Sequence, residues 1–308
     1  MNRCLDIEDY RLRIQLDEPF PAPEPALEVE ADREAIVDQL LGYLISEKPE
    51  AGGIEDGLSR TTYDRKRRKL RALLTVRLPD PLPSWFNGTM DRLLQHESRE
   101  RGTVEAMELP CIAEAIPGIT YDVADRCALW RGDITALHVD AVVNAANSAL
   151  LGCFHPFHAC IDNAIHSAAG PRVRDDCHAI MQLQGAPEET GRAKITRAYN
   201  LPARFILHTV GPIFSGKGNR IPAEQELQLS ACYRSCLELA LRVQGIRSMA
   251  FCCISTGVFG FPGEPAGRVA LRTVADFLKR HPGAFDLVVF NVFGSDDFQI
   301  YKRLLCGQ

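Results

Sequence analysis

Cysteine and histidine side chains crowd into the segment LLGCFHPFHACIDNAIHSAAG at residues 150–170. Thiolates and imidazoles are the donors that Zn²⁺ prefers in proteins. The five candidates are Cys153, His155, His158, Cys160 and His166. The segment therefore predicts a zinc site. The metal-hydrolase patterns HExxH and HxE with PCxxC are absent from the sequence, which excludes those two classes of zinc hydrolase.

The spacing predicts that the ligands lie on a loop. His158 and Cys160 are two residues apart and cannot share a helix face, and Pro156 disfavours a helix before them. A helix is expected from about Asp162, as its N-cap, to Gly170. His166 would lie one turn into that helix, where it either supports a ligand or simply packs. Asp162 is also the nearest candidate for orienting or deprotonating a reacting group.

Three further polar segments follow apolar runs. Asn144 and Asn147 in NAANS end a predicted buried strand, where each amide either caps a turn or binds a ribose hydroxyl. Asp133 in RGDIT either caps the next turn or accepts a proton from an exocyclic amine. STGVFGFPGEP, residues 255–265, is glycine-rich, so its N–H groups could face a phosphate. It matches neither the Walker loop nor GxGxxG, and an ordinary turn stays an equal alternative.

Strands alternate with helices after residue 120. The predicted strands are CALWRGD, DAVVNAAN, RFILHTVGP, SMAFCCISTG and DLVVFNVFG. Helices are predicted over residues 162–169, 172–183, 224–243, 266–280 and 296–305. Such alternation predicts an α/β sandwich with a largely parallel sheet, whose ligands bind at the carboxyl ends of the strands. The polar segments described above fall at those ends.

The N-terminal third has a different texture. Amphipathic helices are predicted over residues 31–47, with Asp32 as N-cap, over residues 62–78 and over residues 83–98. The domain prediction is a tail or surface strap at 1–30, a helical lobe at 31–118 and the sandwich at 119–308. The basic run from Arg65 to Arg71 is interpreted as a solvated helix face, with a nucleic-acid patch as the alternative.

Composition limits the class of protein. The chain has 308 residues, with 35 basic and 40 acidic residues and a net charge of −5, which disfavours general nucleic-acid binding. We expect no membrane segment, because no apolar run approaches the ~20 residues of a span. The N-terminus lacks the apolar core of a secretory leader. Eleven cysteines without framework spacing favour free thiols and a cytoplasmic location.

Taken together, the motifs resemble a macrodomain, the ADP-ribose-binding α/β/α sandwich. The similar segments are RGDIT with VDAVVNAANS, GRAKITRAYNLPARFILHTVGP, CISTGVFGFP and NVFG. GCFHPFHACIDNAIH replaces the usual glycine run and resembles the zinc-dependent branch, whose motif is GCFxPxHxCIDNxIH. RRKLRALLTVRLPDPLP is similar to the helical extension of that branch. The resemblance covers about residues 30–305.

This resemblance implies a site and an activity. Cys153, His158 and Cys160 would bind Zn²⁺, with His155 at a variable position of the motif. Asp162 and Asn147 would be the catalytic candidates. The implied ADP-ribose contacts are Asp133 and Ile134 at adenine, Asn147 at the distal ribose, Ser255, Thr256, Gly257, Val258, Phe259, Gly260 and Phe261 around the diphosphate, and Asn291 and Phe293 beside the adenosine half.

The implied activity is hydrolysis of O-linked mono-ADP-ribose from modified proteins, with ADP-ribose as the product. Two alternatives stay open. One is a non-catalytic module that reads ADP-ribosylated proteins, against which the intact ligand set argues. The other is deacetylation of O-acetyl-ADP-ribose in the same pocket.

Overall fold

The computed structural model describes residues 4–20, 30–48, 62–116, 118–216 and 221–307. Its helices are α1 (Ile7–Tyr10), α2 (Glu30–Glu47), α3 (Thr62–Val76), α4 (Ser84–Arg101), α5 (Ile112–Ala115), α6 (Ile161–Ala169), α7 (Pro171–Gln184), α8 (Ala223–Leu241), α9 (Gly263–Arg280) and α10 (Ser295–Leu305). Its strands are β1 (Val104–Glu105), β2 (Cys127–Arg131), β3 (Leu137–His138), β4 (Ala141–Ala146), β5 (Ala193–Arg197), β6 (Phe205–Val210), β7 (Ser248–Phe251) and β8 (Leu287–Val292).

Six strands form the central sheet in the order β2-β8-β7-β4-β6-β5. Neighbouring strands run parallel except for β5, which is antiparallel to β6 at the edge. Strands β6, β7 and β8 are buried along their whole length, as their continuous apolar sequences require. The five predicted strands and the mixed, largely parallel α/β sandwich are confirmed. Strand β5 was missed.

Helices flank this sheet. Helices α8, α9 and α10 pack against one another, while α6 contacts α7 and β4. Helix α9 shows why these segments are helical: apolar side chains recur every three or four residues and are buried, among them Val269, Ala270, Val274 and Leu278. The carboxyl ends of the five parallel strands therefore share one edge of a rigid platform, and the loops that follow them meet there.

The N-terminal segment is part of the main core. Ile7, Tyr10, Ile14 and Leu16 are each at most 2% exposed and belong to the cluster that contains the sheet. The Tyr10 hydroxyl accepts a hydrogen bond of 3.0 Å from the amide of Ile195 in β5. The prediction of a tail or surface strap is therefore wrong for residues 4–20, because their apolar side chains pack into the core that contains the sheet. Residues 21–29 of that predicted tail lie outside the described residues.

Helices α2, α3 and α4 form the helical lobe, which has an apolar cluster of its own. Its buried centre includes Leu40, Leu44, Leu73 and Phe86, whereas Trp85 is 44% exposed. Asp32 is not an N-cap, since α2 already begins at Glu30.

The basic run on α3 is only partly a solvated face. Arg67 forms a two-pronged ion pair with Glu97 of α4, at 2.5 and 2.8 Å. Arg71 turns toward the sandwich and donates to Ser167 of α6. The interpretation as a solvated face is therefore wrong for Arg67 and Arg71, because the helices packed against α3 supply their partners.

The lobe packs on α6, on α7 and on the turn after β5. Asp91 of α4 pairs with Arg172 at 2.6 Å and accepts from Asn200 at 2.9 Å. Gln95 donates to Asn200 at 2.8 Å. Within the described ranges, no helix combines the length and apolar character needed to cross a membrane.

Candidate functional site

A cavity of about 560 Å³ opens at the carboxyl ends of the parallel strands. Two loops form much of its wall: the cysteine loop, residues 153–160, which precedes α6, and the glycine loop, residues 255–261, which lies between β7 and α9. Most of the sequence-predicted site residues line it. These are Asn147, Cys153, His158, Cys160, Asp162, Ser255, Thr256, Gly257, Val258, Phe259, Asn291 and Phe293. Segments distant in sequence thus converge on one space.

The cysteine loop brings together the three predicted metal ligands. The donor atoms of Cys153, His158 and Cys160 all lie within 4.8 Å of one another. Cys153 Sγ and His158 Nδ1 are 3.4 Å apart. Ligand atoms of a tetrahedral zinc site are separated by roughly 3.5 Å, as follows from bonds of about 2.0–2.3 Å. Two thiols and one imidazole at this spacing fit Zn²⁺, and three protein ligands would leave one of its four positions for another group.

Cys160 also begins helix α6. Its sulfur accepts from the amide of Asn163 at 3.4 Å, which is the N-cap interaction of this helix. Burial, with the Cys153 thiol nearby as a smaller cause, raises the pKa of Cys160 to about 11. The expectation that Asp162 is the N-cap is wrong, because α6 begins one residue earlier, at Ile161, and the thiol occupies the cap position.

Asp162 is a buried carboxylate on the cavity wall. Its Oδ1 accepts from the Asn144 amide at 2.8 Å and its Oδ2 from the Asn147 amide at 3.3 Å. The Nε2 atom of His166 lies 3.5 Å from Oδ1. Burial raises the pKa of Asp162 to about 6, although the hydrogen bond from Asn144 and the charge of Arg174 oppose that rise. Both oxygens are thus held in place beside the cysteine loop.

Asn147 fixes the backbone around the site. Its Oδ1 accepts from the amide of Ala149 at 3.0 Å, and its Nδ2 donates to the carbonyl of Gly152 at 3.0 Å as well as to Asp162. The turn-capping role is therefore present in the structure. The same side chain lines the cavity and joins the end of β4 to the start of the cysteine loop.

The glycine loop depends on a close approach between two strand ends. Ser255 has a φ of +67°, and its buried hydroxyl has no hydrogen-bond partner within the described residues. A Cβ placed on Gly211, which follows β6, would lie 2.0 Å from Ser255 Oγ, so only glycine fits there. In the described chain, the amides of Gly257, Val258 and Phe259 donate to no other residue. These amides can hold an anion.

Four of the predicted contact residues do not line the cavity, although all four are described. Ile134 and Phe261 are at most 2% exposed and pack in the core. Asp133 caps a short 3₁₀ turn, its Oδ1 accepting from the amide and the hydroxyl of Thr135 at 2.9 and 2.7 Å. Gly260 closes the glycine loop by donating to Gly257 at 2.9 Å. Core packing thus accounts for the positions of Ile134 and Phe261, and local turn geometry accounts for those of Asp133 and Gly260.

A polar cluster lies behind Asp162. His166, Cys177 and His208 place donor atoms within 4.8 Å of one another. His208 is already engaged on both nitrogens, with Thr196 Oγ1 at 2.9 Å and Asn144 Nδ2 at 3.2 Å. Burial lowers the pKa of His208 to about 3 and that of His166 well below its usual value. Burial and these contacts favour neutral, packed histidines, and packing is one of the two roles that the sequence left open for His166.

Two contributors to the site were missed or left unassigned by sequence reasoning. Asn144 was expected to cap a turn or to bind a ribose hydroxyl, not to hold Asp162, and His208 was not noted at all. A histidine inside the apolar run FILHTV is a visible signal, because a buried imidazole needs polar partners. The partner of His208, Asn144, follows only from the parallel pairing of β4 with β6.

Comparison with known proteins places these features in a family. Residues 143–270 match the model of the Macro domain. The chain is 42% identical over 266 residues to a "Protein-ADP-ribose hydrolase" of Treponema medium, covering 86% of this chain and 96% of the relative. It is 44% identical to a protein of the same name from Staphylococcus aureus, covering 76% and 82% respectively.

A solved structure shows the same fold. The Trypanosoma brucei macrodomain in complex with ADP-ribose superposes with a TM-score of 0.57 at 33% identity, over 76% of this chain and 94% of that one.

Proposed function

The chain belongs to the Macro domain family, and we propose that it is a zinc-dependent hydrolase that releases O-linked mono-ADP-ribose from modified proteins. The observation that carries the proposal is the cavity itself. One wall offers the backbone amides of the glycine loop. Another offers two thiols and one imidazole of the cysteine loop, beside the carboxylate of Asp162. The names of the two bacterial relatives support the hydrolase, and the ADP-ribose in the Trypanosoma brucei structure supports the ligand.

The glycine loop would hold the diphosphate. The amides of Gly257, Val258 and Phe259 provide donors, and α9 begins shortly afterwards at Gly263. A helix N-terminus adds a favourable dipole for an anion. Asn291 lies in strand β8, which neighbours β7, and Phe293 follows the end of β8 and is 81% exposed. An exposed aromatic ring at the mouth of the cavity suits the adenosine half of the ligand.

The distal ribose would then lie at the cysteine loop. Cys153, His158 and Cys160 would hold Zn²⁺, which supplies a Lewis acid for an oxygen of the substrate or of water. Asp162 holds or accepts a proton at Oδ1 or Oδ2, and the amides of Asn144 and Asn147 keep this carboxylate in place. The bond between the anomeric carbon of the distal ribose and the oxygen of the modified side chain breaks, and the oxygen of water forms the new bond to that carbon. The proton that the water loses ends on the departing side-chain oxygen.

Turnover of an O-linked mono-ADP-ribosylated protein by the zinc-loaded chain tests this proposal. We expect release of free ADP-ribose, loss of release after chelation, and recovery when zinc is added back. Binding of ADP-ribose without any release would instead identify a reader module. Release of acetate from O-acetyl-ADP-ribose with no action on the modified protein would identify a deacetylase. An unchanged rate in fully metal-depleted protein would contradict the role of zinc.

A further inference from the structure

One asparagine holds the cysteine loop at three points. The Asn163 side-chain amide donates to the carbonyls of His155 and His158, at 3.1 and 3.2 Å. Its backbone amide donates to the sulfur of Cys160 at 3.4 Å. Asn163 is only 2% exposed, so water does not compete for these bonds. The conformation of the loop that carries the three ligands therefore depends on the orientation of this side chain.

That orientation is set from the helical lobe. Ser167, one turn further along α6, donates to Asn163 Oδ1 at 3.1 Å. Arg71 of α3 donates through Nε to Ser167 Oγ, also at 3.1 Å. Because Ser167 accepts from Arg71, its own proton points at Asn163. The Asn163 oxygen thus faces Ser167, and both amide protons face the loop carbonyls.

Two more arginines brace the same loop. The Arg68 guanidinium lies over the ring of Phe157, 5.2 Å from its centroid. Arg174 of α7 donates to the carbonyl of Leu151 at 2.8 Å and lies 4.6 Å from the Phe154 ring centroid.

Arg174 is in turn held by the lobe. Its Nη1 donates to the carbonyls of Leu74 and Arg77, at the end of α3, at 2.8 and 2.6 Å. Each of these contacts with the cysteine loop and the residues before it therefore depends, directly or through Arg174, on α3 and the residue that follows it. These positive charges also lie beside a loop that would carry two thiolates.

We propose that Arg71 is a positioning residue of the metal site, acting through Ser167 and Asn163. In this view the helical lobe is a working part of the metal centre, because it holds the cysteine loop in the conformation where the three donor atoms converge. The inference rests on the proposed zinc site and adds to it the residues outside the loop that keep it assembled. Loss of such supporting contacts typically costs about 10–100-fold in metal affinity.

The test uses full-length protein and five variants. Arg71→Gln and Ser167→Ala each remove one link of the hydrogen-bond chain Arg71–Ser167–Asn163, the double variant removes both links, Arg71→Lys tests for partial rescue, and Lys66→Gln is the control. Lys66 lies on the same helix but pairs with Glu34 and Asp38 inside the lobe. The first readout is the rate at which a chelator removes zinc. The second is amide hydrogen exchange of residues 153–160 in metal-depleted protein.

We expect both single variants to release zinc about tenfold faster, or more, than wild type and Lys66→Gln. The double variant should be no faster than the more affected single variant, since both changes break one chain. Arg71→Lys, which keeps a donor, should restore part of the effect. Faster exchange of the loop amides should accompany each loss.

Several results would overturn the inference. One is a lower melting temperature of Arg71→Gln with unchanged zinc release, which would make Arg71 merely structural. If the increases in the zinc-release rate caused by Arg71→Gln and Ser167→Ala multiply in the double variant, the two residues act separately. A wild-type protein that binds no zinc would refute the proposed function instead. Even then, unchanged hydrogen exchange of the loop amides in Ser167→Ala would refute the hydrogen-bond chain from Arg71 through Ser167 to Asn163.

Discussion

The two loops that face each other across the cavity are held in different ways. The glycine loop supports itself: Phe261 donates to Ser255 and Gly260 to Gly257, both at 2.9 Å. The cysteine loop also has two backbone bonds of its own, from His158 to His155 at 3.3 Å and from Cys160 to His158 at 3.0 Å. In addition it is held by side chains of α6, α7 and, indirectly, α3.

If the glycine loop binds the ligand and the cysteine loop serves cleavage, as proposed, then these two functions depend on separately supported parts of the molecule. A substitution in the glycine loop should weaken ADP-ribose binding and largely spare cleavage, and one in the cysteine loop should do the reverse. Equal losses of binding and cleavage after a change in either loop would contradict this.

Removing one of the proposed metal ligands should give the largest effect. We expect Cys160→Ala to lower kcat for ADP-ribose release about a hundredfold or more, because the metal acts chiefly in the transition state. The affinity for free ADP-ribose should stay within roughly tenfold, about 1.4 kcal/mol. Rapid-quench kinetics and isothermal titration measure the two quantities. Cys306→Ala, at an exposed thiol outside the loop, is the control. A folded, metal-free Cys160→Ala protein with wild-type kcat would refute the catalytic assignment.

Substitution of the two histidines of the cysteine loop should affect the zinc content of the protein very differently. His158→Ala removes a donor atom and should lose most of the metal, whereas His155→Ala should retain it. The contact that His155 makes with Asn163 uses the backbone carbonyl, which alanine keeps. Elemental analysis of freshly purified protein checks both. Equal zinc loss in the two variants would show that the ligand set is assigned wrongly.

The opposite loop should respond with weaker binding. Gly211→Ala places a methyl group 2.0 Å from Ser255 Oγ and must displace the glycine loop. Overpacking of this kind costs about 1–3 kcal/mol, so the ADP-ribose Kd should rise roughly tenfold to a hundredfold.

Zinc content of Gly211→Ala should not change. Gly88→Ala, whose added Cβ meets no atom within 4 Å, is the matched control. Loss of zinc in Gly211→Ala alone would mean that the two loops are not supported separately.

The smallest effect on ligand binding and release should come from the N-terminal segment, where a substitution changes stability alone. Tyr10→Phe leaves the buried amide of Ile195 without its acceptor, which should cost about 1–3 kcal/mol of unfolding free energy. Tyr43→Phe, which loses an exposed bond to Glu47, should change it by about 0.5 kcal/mol at most. Urea titrations measure both. Neither variant should alter ADP-ribose binding or release, since neither residue lines the cavity. A changed kcat in Tyr10→Phe would contradict this.

What could be predicted from the sequence was mostly local. Five cysteines and histidines between residues 153 and 166 indicated a metal loop, and the family resemblance then singled out Cys153, His158 and Cys160 as the ligands. The strands were visible as apolar runs, whereas β5 escaped because its polar residues Lys194 and Thr196 are buried. The buried amine of Lys194 pairs with Glu188, which no local pattern shows.

What could not be predicted was contact between distant segments. The bond from Asn144 to Asp162 spans 18 residues, that from Arg71 to Ser167 spans 96, and that from Ile195 to Tyr10 spans 185. Each depends on tertiary packing. For the same reason Asp162 was predicted to be a cap, which its sequence position allows, and the structure shows a carboxylate held by two amides instead.

The most direct test compares binding with cleavage in one preparation of wild-type protein, before and after removal of zinc. The account predicts that the ADP-ribose Kd changes by less than about tenfold, while single-turnover release falls by about a hundredfold or more and returns when zinc is restored. Equal losses of binding and of release after zinc removal would contradict it, because they would show that the metal supports the whole pocket rather than the cleavage step.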